Sequence, residues 1–275
     1  MTIIDAHLHV WDPGRAEYPW LGPALAPIDR TIRFDEIEPD LVRHGVTGVV
    51  LVQAADNSED TANMFAVADS NPLVVGVVAW VPLDEPDRAS AELDRLRAHP
   101  RLVGIRALVH DRADPDWILR PDVDDGLGVL EAAGVPFDFV TAGRDALAHL
   151  PVIAERHPAL SIVLDHLGKP PMDEARSFER WKELLAECAA IPRLSAKLSG
   201  LYGPASRVRE AADAALELLG PERLMYGSDW PMSEVAGGRD LAWESALAAL
   251  SGISGPDRNA VLSGTATRVY SLDAS

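Results

Sequence analysis

Cysteine is almost absent from this sequence, since Cys188 is the single cysteine among 275 residues. A lone thiol cannot form a disulfide within the chain, whereas small proteins of oxidising compartments commonly depend on disulfides. The first residues also lack the cationic segment that begins a secretory signal peptide, because an acid and two histidines interrupt the first apolar run. We therefore expect a cytoplasmic protein.

Positive charge is scarce as well. Lysine and arginine number 25 against 43 aspartates and glutamates, which gives a net charge of −18 at pH 7. Nucleic acids and anionic membranes bind clustered cations, so the sequence predicts neither as a partner. No uninterrupted apolar run approaches the roughly 20 residues that a membrane-spanning helix requires. We expect a soluble protein that acts on a small molecule, and the sequence leaves open whether it forms a homo-oligomer.

Apolar residues are plentiful, at 47% of the chain, and they follow a regular alternation. Short apolar runs that predict β-strands alternate with longer stretches in which apolar residues recur every three or four positions, as in amphipathic helices. A glycine or an X-Pro pair closes most of these helices just before the next strand. The predicted strands are 3–7, 48–53, 74–80, 104–107, 135–140, 161–165, 193–197 and 223–226.

Eight strand–helix units in series predict an α/β fold with a parallel sheet covered by helices. Eight is the number of units that closes into a (β/α)8 TIM barrel. A doubly wound open sheet is the alternative, but no glycine-rich dinucleotide turn follows any of the strands. We predict a single barrel domain over 1–275, with a long first βα loop over 11–31 and a final helix over 256–270.

Polar residues at the C-terminal ends of the strands are the candidates for chemistry, because barrel enzymes carry their active sites there. His7 and His9 lie two residues apart in the first strand and therefore share a face. Imidazole is the commonest metal ligand, so this pair can converge on one ion or substrate; two surface or core histidines are the alternative. The other candidates are Gln53, Trp80, Arg106, His110, Asp138, Asp165, His166, Lys197, Ser199, Ser228 and Asp229.

Several motifs stand in order along the chain at predicted strand ends. They are IDAHLHVWDP at 4–13 with YPWL at 18–21, GIR at 104–106 with His110, LDHLGKP at 164–170, KLSGL at 197–201 and RLMYGSDWP at 223–231. Together they resemble the amidohydrolase superfamily, and within it the amidohydrolase-2 family of sugar-lactone hydrolases (fuconolactone and rhamnonolactone types) and 2-pyrone-4,6-dicarboxylate lactonases. The resemblance implies a distorted (β/α)8 barrel that hydrolyses a lactone. Metal-dependent decarboxylation, which also occurs in the superfamily, is the alternative.

The same resemblance implies a metal site. His7 and His9 match the metal-ligand pair of the first strand, and Asp229 matches the acid of the eighth. Together these three residues would hold one divalent ion, for which zinc is the first choice. Metal-rich members of the superfamily carry a lysine or glutamate on strand four and a histidine on strand five. Here strand four offers Arg106, and 135–140 contains no histidine. We therefore expect no binuclear centre, and the single ion is either weakly bound or absent.

For catalysis, the resemblance implies that Asp229 is the general base for the attacking water, with His166 beside it. Arg106 needs an anionic or polar partner, which is either the substrate or a neighbouring aspartate. Lys197 either contacts substrate or forms an ion pair with Asp165 or Asp229. The remaining candidates for substrate contact are His110, Trp11 and Tyr18, with simple packing as the alternative for the two aromatic residues.

Overall fold

The centre of the structure, a computed structural model that describes residues 2–141 and 145–272, is a single eight-stranded sheet. Neighbouring strands pair in parallel, in the order of the sequence. The strands are β1 (Ile4–Leu8), β2 (Gly48–Val52), β3 (Val74–Ala79), β4 (Leu102–Ala107), β5 (Phe137–Phe139), β6 (Ile162–Leu164), β7 (Leu194–Leu198) and β8 (Leu224–Tyr226). All eight predicted strands are confirmed.

The chain after β8 returns to β1 and joins the two ends of the sheet. The amide of Asp229 donates to the carbonyl of His7, and the amide of His9 donates to the carbonyl of Trp230, both at 2.8 Å. Leu8 and Trp230 form the parallel bridge at this seam. The predicted (β/α)8 barrel is therefore confirmed; the ends of the predicted domain, residue 1 and residues 273–275, lie outside the described residues.

A helix follows each strand, and two further short helices end the chain. Their apolar sides pack on the barrel; the helix Ala175–Ala189, for example, buries Phe178, Trp181 and Leu185. Within the described ranges none of the helices is long and apolar enough to cross a membrane. They are α1 (Glu38–Arg43), α2 (Ser58–Ser70), α3 (Pro86–Leu96), α4 (Pro121–Ala133), α5 (His149–Arg156), α6 (Ala175–Ala189), α7 (Ala205–Leu219), α8 (Arg239–Ala249), α9 (Gly255–Asn259) and α10 (Thr265–Val269).

Strand β5 is shorter than the predicted 135–140. Helix α4 ends at Gly134, which has a left-handed backbone with φ of 66°. The amide of Val135 then donates to the carbonyl of Leu130 at 3.1 Å. Val135 therefore belongs to the C-terminal cap of the helix and is not free to pair with a neighbouring strand.

The long first βα loop folds over one side of the barrel mouth. Trp11 and Ile32 form an antiparallel bridge that joins the two ends of the loop. The Trp11 indole donates to the carbonyls of Ile28 (3.2 Å) and Arg30 (2.8 Å), and the Trp20 indole donates to the carbonyl of Ala54 at 2.7 Å. The buried indole of Trp11 and the half-buried indole of Trp20 thus hold an irregular segment in one conformation.

The C-terminal segment closes the opposite end of the barrel. Helices α9 and α10 are joined through a π-helical stretch, Ala260–Gly264, so the predicted helix over 256–270 is confirmed with this added widening. Ala266, Tyr270 and Leu272 pack with apolar residues that line the barrel, such as Ile4 and Val163. The Tyr270 hydroxyl lies 2.8 and 2.9 Å from the two carboxylate oxygens of Asp138 on β5 and donates to them.

We expect Tyr270→Phe to lower the free energy of unfolding by about 2 kcal/mol, because a buried carboxylate loses a hydrogen-bond donor. Urea denaturation measures this change. Tyr226→Phe is the matched control, since within the described residues the Tyr226 hydroxyl makes no hydrogen bond. Equal stability of the two variants would contradict a structural role for the Tyr270–Asp138 contact.

Candidate active site

A cleft of about 380 Å³ opens at the C-terminal ends of the strands. This volume suits a molecule the size of a monosaccharide. Part of the wall is apolar, with Trp11, Trp20, Met172 and Met232. The polar lining comes from five strand ends and consists of His9, Arg106, His110, Asp111, His166, Lys169, Tyr202 and Asp229.

His7 and His9 meet at the base of this cleft. The pairing register between β1 and β2 shifts between Asp5 and Leu8, at the point where the strand delivers His7. The two Nε2 atoms lie 3.1 Å apart. His9 Nδ1 donates to the carbonyl of Val52 at 2.7 Å, which leaves the lone pair of His9 on Nε2. Burial keeps the pKa of His7 well below its usual value, so this imidazole is neutral at physiological pH.

Asp229 faces the two histidines from the end of β8. Its Oδ1 lies 3.6 Å from His7 Nε2 and 3.5 Å from His9 Nε2, and its Oδ2 accepts a hydrogen bond from Tyr202 at 2.8 Å. Burial raises the pKa of this carboxyl, but its contacts with His166, His9 and His7 outweigh burial and lower the pKa overall. The carboxylate is therefore ionised at any pH near neutrality.

His166 enters the site from an unusual turn after β6. Residues 166–169 all have left-handed backbones, with φ of 55°, 52°, 76° and 52° in order, and only the third is glycine. Each of the three non-glycine residues carries a backbone strain of order 1–3 kcal/mol, which tertiary contacts must offset. The turn brings the ring of His166 to 4.6 Å from the ring of His7, and His166 Nδ1 lies 2.9 Å from Ser199 Oγ. Burial lowers the pKa of His166, which favours the neutral imidazole.

Lys197 lies beneath the cleft and is fully buried. Its ammonium donates to Asp138 Oδ2 at 2.5 Å and lies 3.1 Å from both Asp165 Oδ1 and His7 Nδ1. Asp138 also receives the Tyr270 hydroxyl from the C-terminal segment. Of the two aspartates that the sequence offered as partners of Lys197, the structure pairs it with Asp165, and the second carboxylate is Asp138 in place of Asp229.

Arg106 is held in a similar way but also lines the cleft. Its Nη1 donates to Asp165 Oδ2 at 2.9 Å, and its Nη2 donates to the backbone carbonyl of Gln53. Burial raises the pKa of Asp165, but attraction to Lys197, the contact with His7 and attraction to Arg106 outweigh burial and hold the pKa well below its usual value. The partner of Arg106 that the sequence left open is therefore Asp165, and the remaining guanidinium surface faces the cleft.

The other predicted substrate contacts are divided. Trp11 and His110 line the cleft. Burial, with repulsion from Lys169 and Arg106, lowers the pKa of His110 to about 3, so this imidazole is neutral at physiological pH. Tyr18 is not among the lining residues, and its hydroxyl donates to Asp60 at 2.7 Å. The structure does not bring Tyr18 into the cleft.

Three polar lining residues, Asp111, Lys169 and Tyr202, are not among the candidates that the sequence predicted. Lys169 belongs to the 164–170 motif and Tyr202 directly follows the 197–201 motif, so their positions beside recognised motifs were the available signal. Neither apolar periodicity nor ligand spacing marks them. Within the described residues the Lys169 ammonium makes no hydrogen bond or ion pair, which leaves its donors free for a bound molecule.

The donors of His7, His9 and Asp229 fit a single divalent ion. Three atoms separated by 3.1, 3.5 and 3.6 Å surround a point about 2 Å from each, which is the bond length of zinc to nitrogen or oxygen. Asp229 Oδ1 is buried without a hydrogen-bond partner, as expected of a ligand atom. A wider triad within 4.8 Å replaces His9 with His166. The narrower triad matches the bond lengths better.

The surroundings of His7 allow its proton to lie on either ring nitrogen, so the site can exist with or without a bound ion. Lys197 is only a donor, so its contact with His7 Nδ1 requires the histidine proton on Nε2, from which it can donate to His9. Ligation through Nε2 instead requires the proton on Nδ1, where Asp165 Oδ1 at 3.3 Å can accept it. A second ion would lack free carboxylates, because Asp138 and Asp165 are already paired with cations.

We expect chelator-treated protein to bind one zinc ion per chain in a calorimetric titration. His9→Ala should weaken zinc binding by at least about 10-fold. Removing a residue that only hydrogen-bonds to a metal ligand already lowers affinity by roughly that factor, and His9 is a ligand itself. His149→Ala is the control, since this histidine pairs with Asp116 on the protein surface. Two ions per chain, or equal affinity in His9→Ala, would contradict this site.

Comparison with known proteins agrees with the geometry. The profile of the family described as Amidohydrolase matches residues 4–272. Proteins named L-fucono-1,5-lactonase from Burkholderia ambifaria and Burkholderia multivorans are 36% and 32% identical to this chain, each over 98% of the chain and 96% of the relative. A crystal structure of an amidohydrolase from Burkholderia multivorans with bound zinc superposes with a TM-score of 0.90 at 30% identity, covering 99% of this chain and 100% of that one.

More distant structures share the fold alone. A Pseudomonas putida protein named for 2-pyrone-4,6-dicarboxylic acid hydrolysis superposes with a TM-score of 0.80 at 23% identity, covering 99% of this chain and 98% of that one. A 2,6-dihydroxybenzoate decarboxylase superposes with a TM-score of 0.70 at 17% identity, covering 98% of this chain and 99% of that one.

Proposed function

The chain belongs to the amidohydrolase family, and from this premise we propose that it is a hydrolase that opens a small sugar lactone to its hydroxy acid. The two L-fucono-1,5-lactonase relatives support this substrate class. The observation that carries the proposal is Asp229, a buried and ionised carboxylate that lines the cleft and whose Oδ1 has no hydrogen-bond partner. Hydrolysis of an ester at neutral pH needs such a base to take a proton from water.

In the first step Asp229 Oδ1 takes a proton from a water molecule in the cleft. The oxygen of that water bonds to the lactone carbonyl carbon, and the carbonyl electron pair moves onto the carbonyl oxygen. Three features of Asp229 favour this role: its carboxylate is ionised, it is buried, and one of its oxygens is free. Burial keeps bulk water away from the carboxylate, and the neighbouring imidazoles keep it ionised.

The negative charge that forms on the carbonyl oxygen needs donors in the cleft. Arg106 presents a guanidinium there, and neutral His166 can donate from Nε2 when its Nδ1 accepts the Ser199 hydroxyl. The tetrahedral intermediate then collapses: the bond from the carbonyl carbon to the ring oxygen breaks, and the protonated Asp229 returns its proton to the leaving alkoxide. The products are a carboxylic acid and a hydroxyl group on one open chain.

A divalent ion, for which zinc is our first choice, would be held by His7, His9 and one lone pair of Asp229 Oδ1, which would leave the second lone pair of that oxygen to accept the proton of water. When bound, such an ion polarises the carbonyl oxygen as a Lewis acid. The zinc in the Burkholderia multivorans structure and the fit of the three donor atoms support this choice. The residues that contact substrate are proposed to be Arg106 and His110.

L-Fucono-1,5-lactone is the first substrate to test, because both curated relatives are named for its hydrolysis. The mixed lining supports a small molecule with polar and apolar sides: Lys169 and His110 offer polar contacts, whereas Trp20, Met172 and Met232 form an apolar wall. Metal-dependent decarboxylation has weaker support. The decarboxylase likeness extends to the fold alone, and the described strand β5 carries Asp138, which is paired with Lys197, and no histidine.

A cytoplasmic location is part of the proposal. The single cysteine, Cys188, is buried in α6, and its thiol lies 3.4 Å from the carbonyl of Leu147. Burial raises the pKa of this thiol to about 12, so the group behaves as an apolar side chain and supplies no disulfide.

We expect Asp229→Asn to lower kcat for lactone hydrolysis by a factor of roughly 10² to 10⁴, because the amide cannot accept the proton of water. Lactone binding should persist, since the amide has nearly the shape of the carboxylate. A pH-stat measures kcat, and the lactone-induced rise in melting temperature measures binding. Asp213→Asn, at an exposed carboxylate on α7, is the control. Full activity in Asp229→Asn would contradict the role of base.

A further inference from the structure

Tyr202 contacts the second oxygen of the proposed base. It lies on the loop after β7, and its hydroxyl donates to Asp229 Oδ2 at 2.8 Å, with the Asp229 backbone carbonyl at 3.3 Å. Tyr202 also lines the cleft.

This contact makes the two oxygens of Asp229 different, because only one of them accepts a hydrogen bond. Oδ2 is occupied by the Tyr202 hydroxyl, whereas Oδ1 has no hydrogen-bond partner and faces His7 and His9. The terminal torsion of an aspartate is broad, so a carboxylate without an anchor can turn and exchange its oxygens. A donor fixed on Oδ2 prevents that exchange.

The backbone at Asp229 and at Gly200 allows Tyr202 and Asp229 to approach each other closely. Asp229 has a left-handed backbone with φ of 53°, and its amide donates to the carbonyl of His7 at 2.8 Å. Gly200, two residues before Tyr202, has φ of 59°. A Cβ at Gly200 would lie 2.4 Å from His166 Nδ1 and 2.9 Å from Asp229 Oδ2. The absence of a side chain at Gly200 therefore lets the Tyr202 loop pack directly on the two groups proposed for catalysis.

We propose that Tyr202 is a positioning residue that holds Asp229 Oδ2, so that Oδ1 is the single oxygen available to take the proton from the attacking water. This inference rests on the proposed lactone hydrolysis. In that step the water O–H bond breaks, its proton goes to Oδ1, and its electron pair forms the bond to the carbonyl carbon. Tyr202 keeps its own proton throughout and remains a neutral donor.

The surroundings of Tyr202 fit a donor that does not ionise. Burial and the neighbouring Asp229 carboxylate raise the pKa of the phenol above its usual value. An ionised phenolate would repel the carboxylate and release it. The Tyr202 hydroxyl therefore donates to Asp229 as a neutral phenol.

Tyr202→Phe tests the proposal, because it removes the hydroxyl and keeps the ring. We expect kcat for L-fucono-1,5-lactone, or for whichever lactone the wild type hydrolyses best, to fall roughly 10- to 100-fold, the scale of a misplaced catalytic group. KM should change less than about 3-fold, since substrate contacts are retained. A rise in KM with unchanged kcat would overturn the proposal and indicate a substrate contact instead.

A cycle with Asp229→Asn separates positioning from other roles. If Tyr202 acts through Asp229, adding Tyr202→Phe to Asp229→Asn lowers kcat no further. An additive loss in the double variant would overturn the proposal. Tyr226→Phe is the matched control on β8, and it should keep the wild-type kcat. Melting temperatures establish that each variant is folded, and Tyr202→Leu, which also removes the donor, must show at least the same loss of kcat.

The result is distinguishable from failure of the proposed function. If the wild-type protein hydrolyses no lactone, lactone hydrolysis itself is wrong. If the wild type is active and Tyr202→Phe keeps its kcat, the error lies in the role of Tyr202 alone.

Discussion

The ammonium of Lys197 is a buried cation on which the centre of the molecule depends. Moving a charge out of water costs many kcal/mol unless partners replace the lost hydration. Here Asp138 from β5, Asp165 from the end of β6 and His7 from β1 supply those partners. Asp138 in turn accepts the hydroxyl of Tyr270 from the final segment. One charge therefore joins three strands to β7 and links the closed end of the barrel to the base of the cleft.

Because the lower carboxylates are committed to cations, a different acid has to do the chemistry. Asp165 is paired with Lys197 and Arg106, whereas Asp229 stands above them with one oxygen free of hydrogen bonds. Asp229 and His166 both sit on left-handed backbone, which costs free energy that the packed barrel offsets. Rigid placement of an ionised base beside neutral imidazoles is what the proposed attack of water requires.

The sequence predicted those features that depend on local pattern. Apolar runs and breakers predicted all eight strands, and the two-residue spacing of His7 and His9 predicted that they share a face. Two partners of Lys197, Asp138 and His7, were not predicted, since they lie 59 and 190 residues away and only the closed barrel brings them together. Tyr202 was missed for the same reason, because its hydroxyl contacts Asp229, 27 residues further on, only in the folded barrel. The motif around Tyr18 predicted a cleft residue, but the Tyr18 hydroxyl donates to Asp60 instead.

The central claim is that this protein directs water onto the carbonyl carbon of a lactone. Hydrolysis of L-fucono-1,5-lactone in ¹⁸O-labelled water tests it most directly, with mass spectrometry of the product and subtraction of the spontaneous reaction. The account predicts a protein-dependent rate that places one ¹⁸O atom in the carboxylate of the open-chain acid. No protein-dependent hydrolysis of this or any other sugar lactone, label on the carbon that bears the new hydroxyl group, or release of carbon dioxide from an aromatic acid instead would contradict it.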